Sequence, residues 1–190
     1  MPGTTDRDAS VLVVDDEPEV ADAYAKLLAT HYEVETTYDG EEALEVVDEG
    51  TDVVLLDRRM PGLSGDEVLE TMRDRDLDVR VVMVTAVDPG FDILEMDFDD
   101  YLCKPVDATT LRTAVDQQLR AGDYDNRLTE FFEVTAKMGV LEARHPPGKL
   151  DSDEEYQQLA ERADRLRGDL DGLLAEFDDI AHAFQEIDRV

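Results

Sequence analysis

The residues of this chain best suited to chemistry stand where short apolar runs end. Asp15 and Asp16 follow the run VLVV, and Asp57 follows VVLL. Thr85 and Lys104 close two later runs. Short, β-branched, continuous apolar runs are typical of strands buried on both faces of a parallel sheet. Because ligands bind outside the carboxyl ends of such strands, we expect these side chains to meet at one edge of the sheet.

Three carboxylates held close together repel one another, and one tends to take up a proton unless a cation compensates them. Mg²⁺ prefers oxygen ligands and is commonly held by a few carboxylates together with a substrate phosphate. A carboxylate beside this ion can attack a phosphoryl group and become an aspartyl phosphate. Lys104 would supply a fixed positive charge for this transfer and Thr85 a hydroxyl donor. The pattern therefore predicts phosphoryl transfer to an aspartate.

Taken singly, each of these residues also has an ordinary structural explanation. Asp15 and Asp16 could simply cap the first helix. Asp57 could belong to a loop, and Lys104 could be a solvated surface lysine. Chance alone would rarely place all of them at the ends of apolar runs, so the prediction depends on the complete set.

The elements that would position these residues alternate between strand and helix. Apolar residues recur at helical spacing in four segments, 19–30, 41–49, 65–75 and 108–120. A weaker alternating run over 32–36 is predicted as an edge strand, and residues 101–103 as a fifth strand. This alternation predicts an α/β domain with a parallel sheet, helices on both faces and right-handed crossovers.

Four motifs, taken in order, resemble the receiver domain of two-component response regulators. They are VLVVDDEP, VVLLDRRMPG, VMVTA and DYLCKP, within residues 9–121. The resemblance implies a flavodoxin-like, doubly wound sheet of five parallel strands in the order 2-1-3-4-5. It also implies a phosphorelay in which a sensor histidine kinase donates the phosphoryl group. A signalling protein of this kind is not expected to turn over a substrate as an enzyme does.

The resemblance also implies a role for each acidic site residue. It makes Asp57 the phosphoacceptor and a ligand of Mg²⁺. Asp16 would bind the ion directly, and Asp15 largely through water. The backbone carbonyl of Arg59 would be a further ligand of the metal.

The resemblance assigns the remaining site residues to the switch. Thr85 and Lys104 would contact the phosphoryl group, and Thr85 and Tyr101 match the pair whose hydroxyl and ring move on phosphorylation. The Lys104–Pro105 peptide bond is expected to be cis. Lys104 follows Thr85 by 19 positions, a few fewer than the family usually shows. The fourth helix, which lies between them, is therefore predicted to be short or irregular.

Charge is the unusual feature of the composition. Asp and Glu total 49 against 18 Lys and Arg, a formal net charge of −31, and only four of the basic residues are lysines. This balance resembles that of cytoplasmic proteins from salt-in halophilic archaea; a merely acidic protein is the alternative. A field of this sign disfavours sequence-independent binding to DNA phosphates.

The sequence also predicts a cytoplasmic protein. No apolar run approaches the roughly 20 residues of a membrane span, and the N-terminus lacks the apolar core of a secretory signal. A single cysteine, Cys103, excludes an internal disulfide. Residues 1–8 are expected to form a disordered tail.

From residue 122 onward the pattern is purely helical. Residues 123–143 and 154–189 are predicted as two helices, separated by the turn sequence RHPPGKLDSD. Apolar residues recur in the second helix at alternating spacings of three and four, as in coiled coils: Tyr156, Leu159, Ala163, Leu166, Leu170, Leu173, Phe177, Ile180, Phe184 and Ile187. The first helix offers a matching face: Leu128, Phe131, Phe132, Val134, Met138 and Leu141. An antiparallel hairpin over 122–190 is expected.

This arrangement, a receiver followed by an acidic two-helix segment, resembles haloarchaeal regulators whose C-terminal segment is called HalX. Its 8 basic and 18 acidic residues favour contact with a protein target, the transcription machinery or a second copy of the chain. The basic cluster of Arg162, Arg165 and Arg167 is predicted to form surface ion pairs with Glu161 and Asp169.

Two alternatives to a protein-binding switch remain. One is a transcription factor that binds DNA directly through the C-terminal helices. The other is a phosphatase that also forms an aspartyl phosphate, as haloacid-dehalogenase-type enzymes do. Those enzymes are typified by the motif D-x-D after a strand, in which the second aspartate is the general acid. Here Arg59 stands two positions after Asp57 and supplies no general acid.

Overall fold

The computed structural model describes residues 9–186, with side chains described for 9–146 and 148–175. The predicted N-terminal tail and the last four residues lie outside these ranges. The chain divides into two compact units, one that ends at Leu119 and one that spans Arg120–Glu186.

The first unit is built on five parallel strands. They are β1 (Ser10–Val14), β2 (Glu33–Thr37), β3 (Val53–Leu56), β4 (Arg80–Thr85) and β5 (Asp100–Cys103). Their order in the sheet is β2-β1-β3-β4-β5, and every neighbouring pair is parallel. The predicted flavodoxin-like topology is confirmed.

Helices cover both faces of this sheet. They are α1 (Pro18–Leu28), α2 (Gly40–Val46), α3 (Gly65–Asp74) and the first part of α4 (Ala108–Glu142). Val11 and Val13 of β1 pack in one core cluster with residues of α1 and α4, and Leu12 and Val14 in another with residues of α2 and α3. Because successive side chains of a strand point to opposite faces, this division confirms that β1 is buried on both faces.

A short 3₁₀ helix, Phe91–Glu95, takes the place of a fourth helix between β4 and β5. It contains no buried residue, and Phe91 and Leu94 are 92% and 78% exposed. The prediction that this element is short or irregular is confirmed. The segment is too poor in apolar periodicity to bury one face of a longer helix.

The predicted break between residues 120 and 123 is wrong, because α4 is a single helix from Ala108 to Glu142. The sequence at this point is Arg120-Ala121-Gly122, with no proline. A glycine inside a helix costs roughly 1 kcal/mol relative to alanine, too little to end a helix that is favourable on both sides.

In the second unit, α6 (Glu154–Glu186) returns along α4 after the one-turn helix α5 (Pro147–Leu150). Val134 of α4 packs with Ala163 and Leu166 of α6. The Tyr156 hydroxyl donates to Glu142 at 2.6 Å, near the turn. Contacts farther from the turn join earlier residues of α4 to later residues of α6, so the predicted antiparallel hairpin is confirmed.

The apolar stripe of α6 faces this hairpin as far as side chains are described. Ala163, Leu166 and Leu170 are buried, and Tyr156, Leu159 and Leu173 are partly buried. The stripe residues Phe177, Ile180, Phe184 and Ile187 lie outside the described side chains. On α4 the predicted face holds except for Phe132, which is 61% exposed.

Two charged residues of α6, Arg162 and Asp169, pair differently from the prediction. Arg162 bonds to Glu130 of α4 at 2.6 Å, and Asp169 bonds to Arg127 of α4 at 2.6 Å. These ion pairs join the two helices, whereas local spacing suggested pairs within α6. One local pair is present, between Arg167 and Asp164 at 3.9 Å. Sequence periodicity cannot report which residues of a partner helix lie opposite.

The hairpin core predicts that two leucines of α6 differ in the stability lost when each is replaced by alanine. We expect Leu166→Ala to destabilise the second unit by about 2–3 kcal/mol, because Leu166 is buried against Val134 and Ala163. Leu174→Ala, at a position 48% exposed, should cost less than about 1 kcal/mol. Denaturant unfolding followed by circular dichroism measures both; equal shifts would contradict this helix pairing.

Candidate functional site

The strands β1 and β3 bring Asp15 and Asp57 to one edge of the sheet. Val14 and Leu56 are partners in the parallel register, and each is the last residue of its strand. The Asp57 amide donates to the Val14 carbonyl at 2.9 Å, which extends this pairing by one residue. The two carboxylates therefore start from adjacent, fixed backbone positions.

Asp15, Asp16 and Asp57 form a compact group of carboxylates. One oxygen from each lies within 4.8 Å of the others. Asp15 and Asp57 are only 2% and 7% exposed, and Asp16 is partly buried. An all-oxygen donor set of this size fits Mg²⁺, which takes a few carboxylates and keeps waters in its other positions.

Lys104 is the positive charge that faces this group. Its Nζ lies 2.6 Å from Asp15 Oδ2 and 3.1 Å from Asp57 Oδ2. Its amide donates to the Thr85 carbonyl at 2.8 Å, so β4 and β5 fix the backbone from which the side chain extends. One ammonium group thus partly compensates two buried carboxylates.

Burial and charge shift the pKa values of this group. Burial raises the pKa of Asp15, and its hydrogen bond with Lys104 opposes this shift only in part. Burial alone would lower the pKa of Lys104, but the hydrogen bonds to Asp15 and Asp57 outweigh it and raise the pKa. The lysine is therefore held in its charged form.

A capping role does not account for Asp15 and Asp16. The residue before α1 is Glu17, and its side chain makes no cap hydrogen bond. The Glu17 amide does donate to Asp15 Oδ1 at 3.0 Å, while Asp15 Oδ2 faces Lys104. The carboxylate of Asp15 therefore accepts one hydrogen bond in the turn before α1 and one from the lysine of the acidic group.

Thr85 and Tyr101 both bond to the residue Val87. The Thr85 hydroxyl, at a position 1% exposed, accepts from the Val87 amide at 3.3 Å. The Tyr101 hydroxyl donates to the Val87 carbonyl at 2.7 Å, and the ring is buried. The two residues predicted as a switch pair are thus linked through one peptide segment.

The backbone around Asp57 carries two further features. The Arg59 amide donates to Asp57 Oδ1 at 3.3 Å; its carbonyl as a metal ligand stays a prediction. The Lys104–Pro105 peptide bond is cis, as predicted.

Sequence reasoning missed the packing of α3 against Asp57. A Cβ on Gly65 would lie 2.1 Å from the Asp57 carbonyl oxygen, so only glycine fits there. The Gly65 amide donates to the Arg58 carbonyl at 2.9 Å, and Ser64 with Glu67 forms a capping box. The sequence SGDE carried this signal, since Ser followed three residues later by Glu marks a helix start.

Sequence reasoning also missed Arg58. Its side chain is only 11% exposed and pairs with Asp66 of α3 and with Asp92 of the 3₁₀ helix. These hydrogen bonds raise the pKa of the guanidinium further. Neither partner stands at a spacing that marks it in the sequence.

The comparisons with known proteins cover both units. A model of the response regulator receiver domain matches residues 11–116, and a model of the HalX domain matches residues 119–188. A receiver domain protein of known structure from Clostridium thermocellum superposes with a TM-score of 0.56 at 29% identity, over 60% of this chain and 97% of that one.

Two relatives extend the comparison. A candidate transcriptional regulator of Haloferax volcanii is 42% identical over 160 residues, which are 84% of this chain but 27% of that protein. The sensory transduction protein RegX3 of Mycobacterium tuberculosis is 40% identical over 140 residues, 70% of this chain and 58% of that protein. The chain therefore spans less than two thirds of either relative. Among the described residues, no helix is long and apolar enough to cross a membrane.

The raised pKa of Asp15 predicts a conflict between stability and metal binding. An ionised carboxylate that burial disfavours destabilises the metal-free fold at neutral pH, above the range in which the group titrates in the unfolded chain. We expect Asp15→Asn to raise the thermal midpoint of the metal-free chain and to abolish its further increase with Mg²⁺. Thermal melts with and without Mg²⁺ measure this.

Glu19→Gln is the control for this variant, because it removes an exposed carboxylate from the first turn of α1. It should leave the response to Mg²⁺ intact. An Asp15→Asn chain that Mg²⁺ still stabilises as much as the parent would exclude Asp15 from the metal site.

Proposed function

We propose that this chain, which belongs to the response regulator receiver domain family and carries a HalX domain, is a two-component switch that accepts a phosphoryl group on Asp57. The observation that carries the proposal is the environment of this carboxylate. Asp57 is buried at the edge of a parallel sheet, 3.1 Å from the Nζ of Lys104, with Asp15 and Asp16 beside it. Few purely structural roles require three carboxylates and a lysine at the carboxyl ends of neighbouring parts of one sheet.

In the proposed step, a carboxylate oxygen of Asp57 forms a bond to phosphorus. The phosphorus–nitrogen bond to the histidine of the sensor kinase breaks, and the leaving imidazole keeps the electron pair and takes up a proton. Lys104 offsets the negative charge of the transferring group. The Thr85 hydroxyl already accepts a hydrogen bond from Val87, so its own proton is available for a phosphoryl oxygen.

Asp15, Asp16, Asp57 and the Arg59 carbonyl are the residues that would hold Mg²⁺. When bound, the ion would neutralise part of the charge that the carboxylates and phosphoryl group share. Lys104 alone leaves the group with net negative charge. This excess favours a divalent cation as the remaining partner.

The same geometry favours a switch over a phosphatase. Arg59 is exposed and occupies the position where a haloacid-dehalogenase-type enzyme needs a general acid. The family is one of signalling proteins, so the phosphorylated aspartate is proposed as the signal itself rather than as a catalytic intermediate.

For the output we propose protein contact through the HalX hairpin, with a target protein, the transcription machinery or a second copy. Phe132, Val140 and Leu174 are 61%, 62% and 48% exposed, which leaves apolar surface for a partner. The name of the Haloferax relative favours a role in transcription. Direct DNA binding is the alternative, and the acidic hairpin disfavours it.

Removal of the Asp57 carboxylate tests the phosphoacceptor. Asp57→Ala should take up no phosphoryl group from a small acyl phosphate donor in the presence of Mg²⁺, because no nucleophile remains at the site. Intact-protein mass spectrometry measures the gain. Asp88→Asn, which removes a nearby carboxylate outside the site, should still be modified; continued labelling of Asp57→Ala would assign the acceptor elsewhere.

The oligomeric state tests the proposed output. We expect light scattering to show an increase in mass when beryllofluoride and Mg²⁺ are added, and Val140→Ser together with Phe132→Ser to reduce it. Lys26→Ser, at an exposed position of α1, is the control. A DNA complex that persists in concentrated salt, together with an unchanged mass, would favour the DNA-binding alternative instead.

A further inference from the structure

Arg58, the residue directly after Asp57, joins two segments through one guanidinium group. Its Nε donates to the carboxylate of Asp66 at 2.9 and 3.3 Å, and its Nη2 donates to Asp66 Oδ2 at 3.1 Å. The same Nη2 donates to Oδ2 of Asp92. One cation therefore holds the first turn of α3 and the Phe91–Glu95 helix together.

The two partners of Arg58 are held with unequal strength. Asp66 accepts three hydrogen bonds and lies in a ten-residue helix whose first amide, that of Gly65, donates to the Arg58 carbonyl. Asp92 accepts one hydrogen bond from Arg58, is 56% exposed and lies in a five-residue 3₁₀ helix without a buried residue. If the guanidinium moves, Asp92 is the partner that it loses first.

The segment held at Asp92 is the one that contacts the switch pair. Val87 bonds to the Thr85 hydroxyl through its amide and to the Tyr101 hydroxyl through its carbonyl. A cleft of about 600 Å³ lies beside this segment, and Arg58, Val87 and Asp92 are among its lining residues. The path from β4 to the 3₁₀ helix is thus fixed at Val87 and at Asp92.

We propose that Arg58 is a positioning residue that makes the Phe91–Glu95 helix respond to the charge on Asp57. This inference rests on the proposed phosphorylation of Asp57. A phosphoryl group carries about −1.5 to −2 charges at neutral pH, whereas the carboxylate that it replaces carries a single charge. The added charge next to Arg58 draws the guanidinium away from Asp92, while Asp66 keeps its hydrogen bonds. The 3₁₀ helix, with its exposed Phe91 and Leu94, is then released.

Hydrogen exchange of the full chain measures this release. Without a phosphoryl donor, Arg58→Gln and Asp92→Asn should speed amide exchange over residues 88–96 by about two- to fivefold, the range expected for a surface ion pair. Asp88→Asn is the matched control, because it removes one negative charge from the same segment and should leave exchange unchanged. If Asp92→Asn and Asp88→Asn behave alike, the anchoring role is wrong.

The charge response needs its own comparison. When beryllofluoride and Mg²⁺ are added, the amide exchange rate over residues 88–96 should increase in the parent chain. It should increase little in Asp92→Asn, where the contact with Arg58 is already lost. The Nε–Hε resonance of Arg58 should shift in the parent on the same addition. A purely structural arginine would leave that resonance in place, and an unshifted resonance would overturn the charge response.

The two proposals fail in different ways. If mass spectrometry detects no phosphoryl group on Asp57, the proposed function fails and the charge response fails with it. The comparison of Asp92→Asn with Asp88→Asn still tests whether the Arg58–Asp92 ion pair holds the Phe91–Glu95 helix in place. If Asp57 is phosphorylated and exchange over residues 88–96 stays at the parent rate, only the role of Arg58 is overturned.

Discussion

The repulsion among Asp15, Asp16 and Asp57 is the constraint on which the rest of the receiver site depends. Like charges within 4.8 Å of one another are unfavourable. Burial raises the pKa of Asp15, and the charge of Asp57 adds a smaller contribution in the same direction. Only a rigid framework can hold them in place. The parallel pairing of β1 with β3 provides it, because Asp15 and Asp57 each follow a run of four buried apolar residues at the end of a strand.

Two cations, Lys104 and Arg58, have different carboxylate partners. Lys104 contacts Asp15 and Asp57 directly and is itself fixed at the end of β5. Arg58 pairs with carboxylates on α3 and on the 3₁₀ helix. Two basic residues, one after β3 and one after β5, thus carry positive charge in the region of the proposed phosphoacceptor. The chain has only four lysines, and one of them, Lys104, lies at this acidic group.

Much of the fold and of the site could be predicted because both follow from local sequence. Apolar runs mark the strands, and in a parallel sheet the residue after each run is placed at the common edge by topology alone. The contacts that escaped prediction are of another kind. The pairing of Arg58 with Asp92 spans 34 positions and depends on the path of an irregular segment. Arg162 with Glu130 depends on the register of two helices.

The low exposure of Asp15 and Asp57 has a consequence at high salt concentration. At about 1 M salt the Debye length in water is roughly 3 Å, and salt weakens exposed ion pairs such as Arg162–Glu130. A largely buried ammonium–carboxylate contact, such as that of Lys104 with Asp15, is screened much less. The electrostatics of this edge of the sheet therefore depend less on the salt concentration than the exposed ion pairs between α4 and α6 do, and the packing of those helices in concentrated salt depends mainly on their apolar side chains.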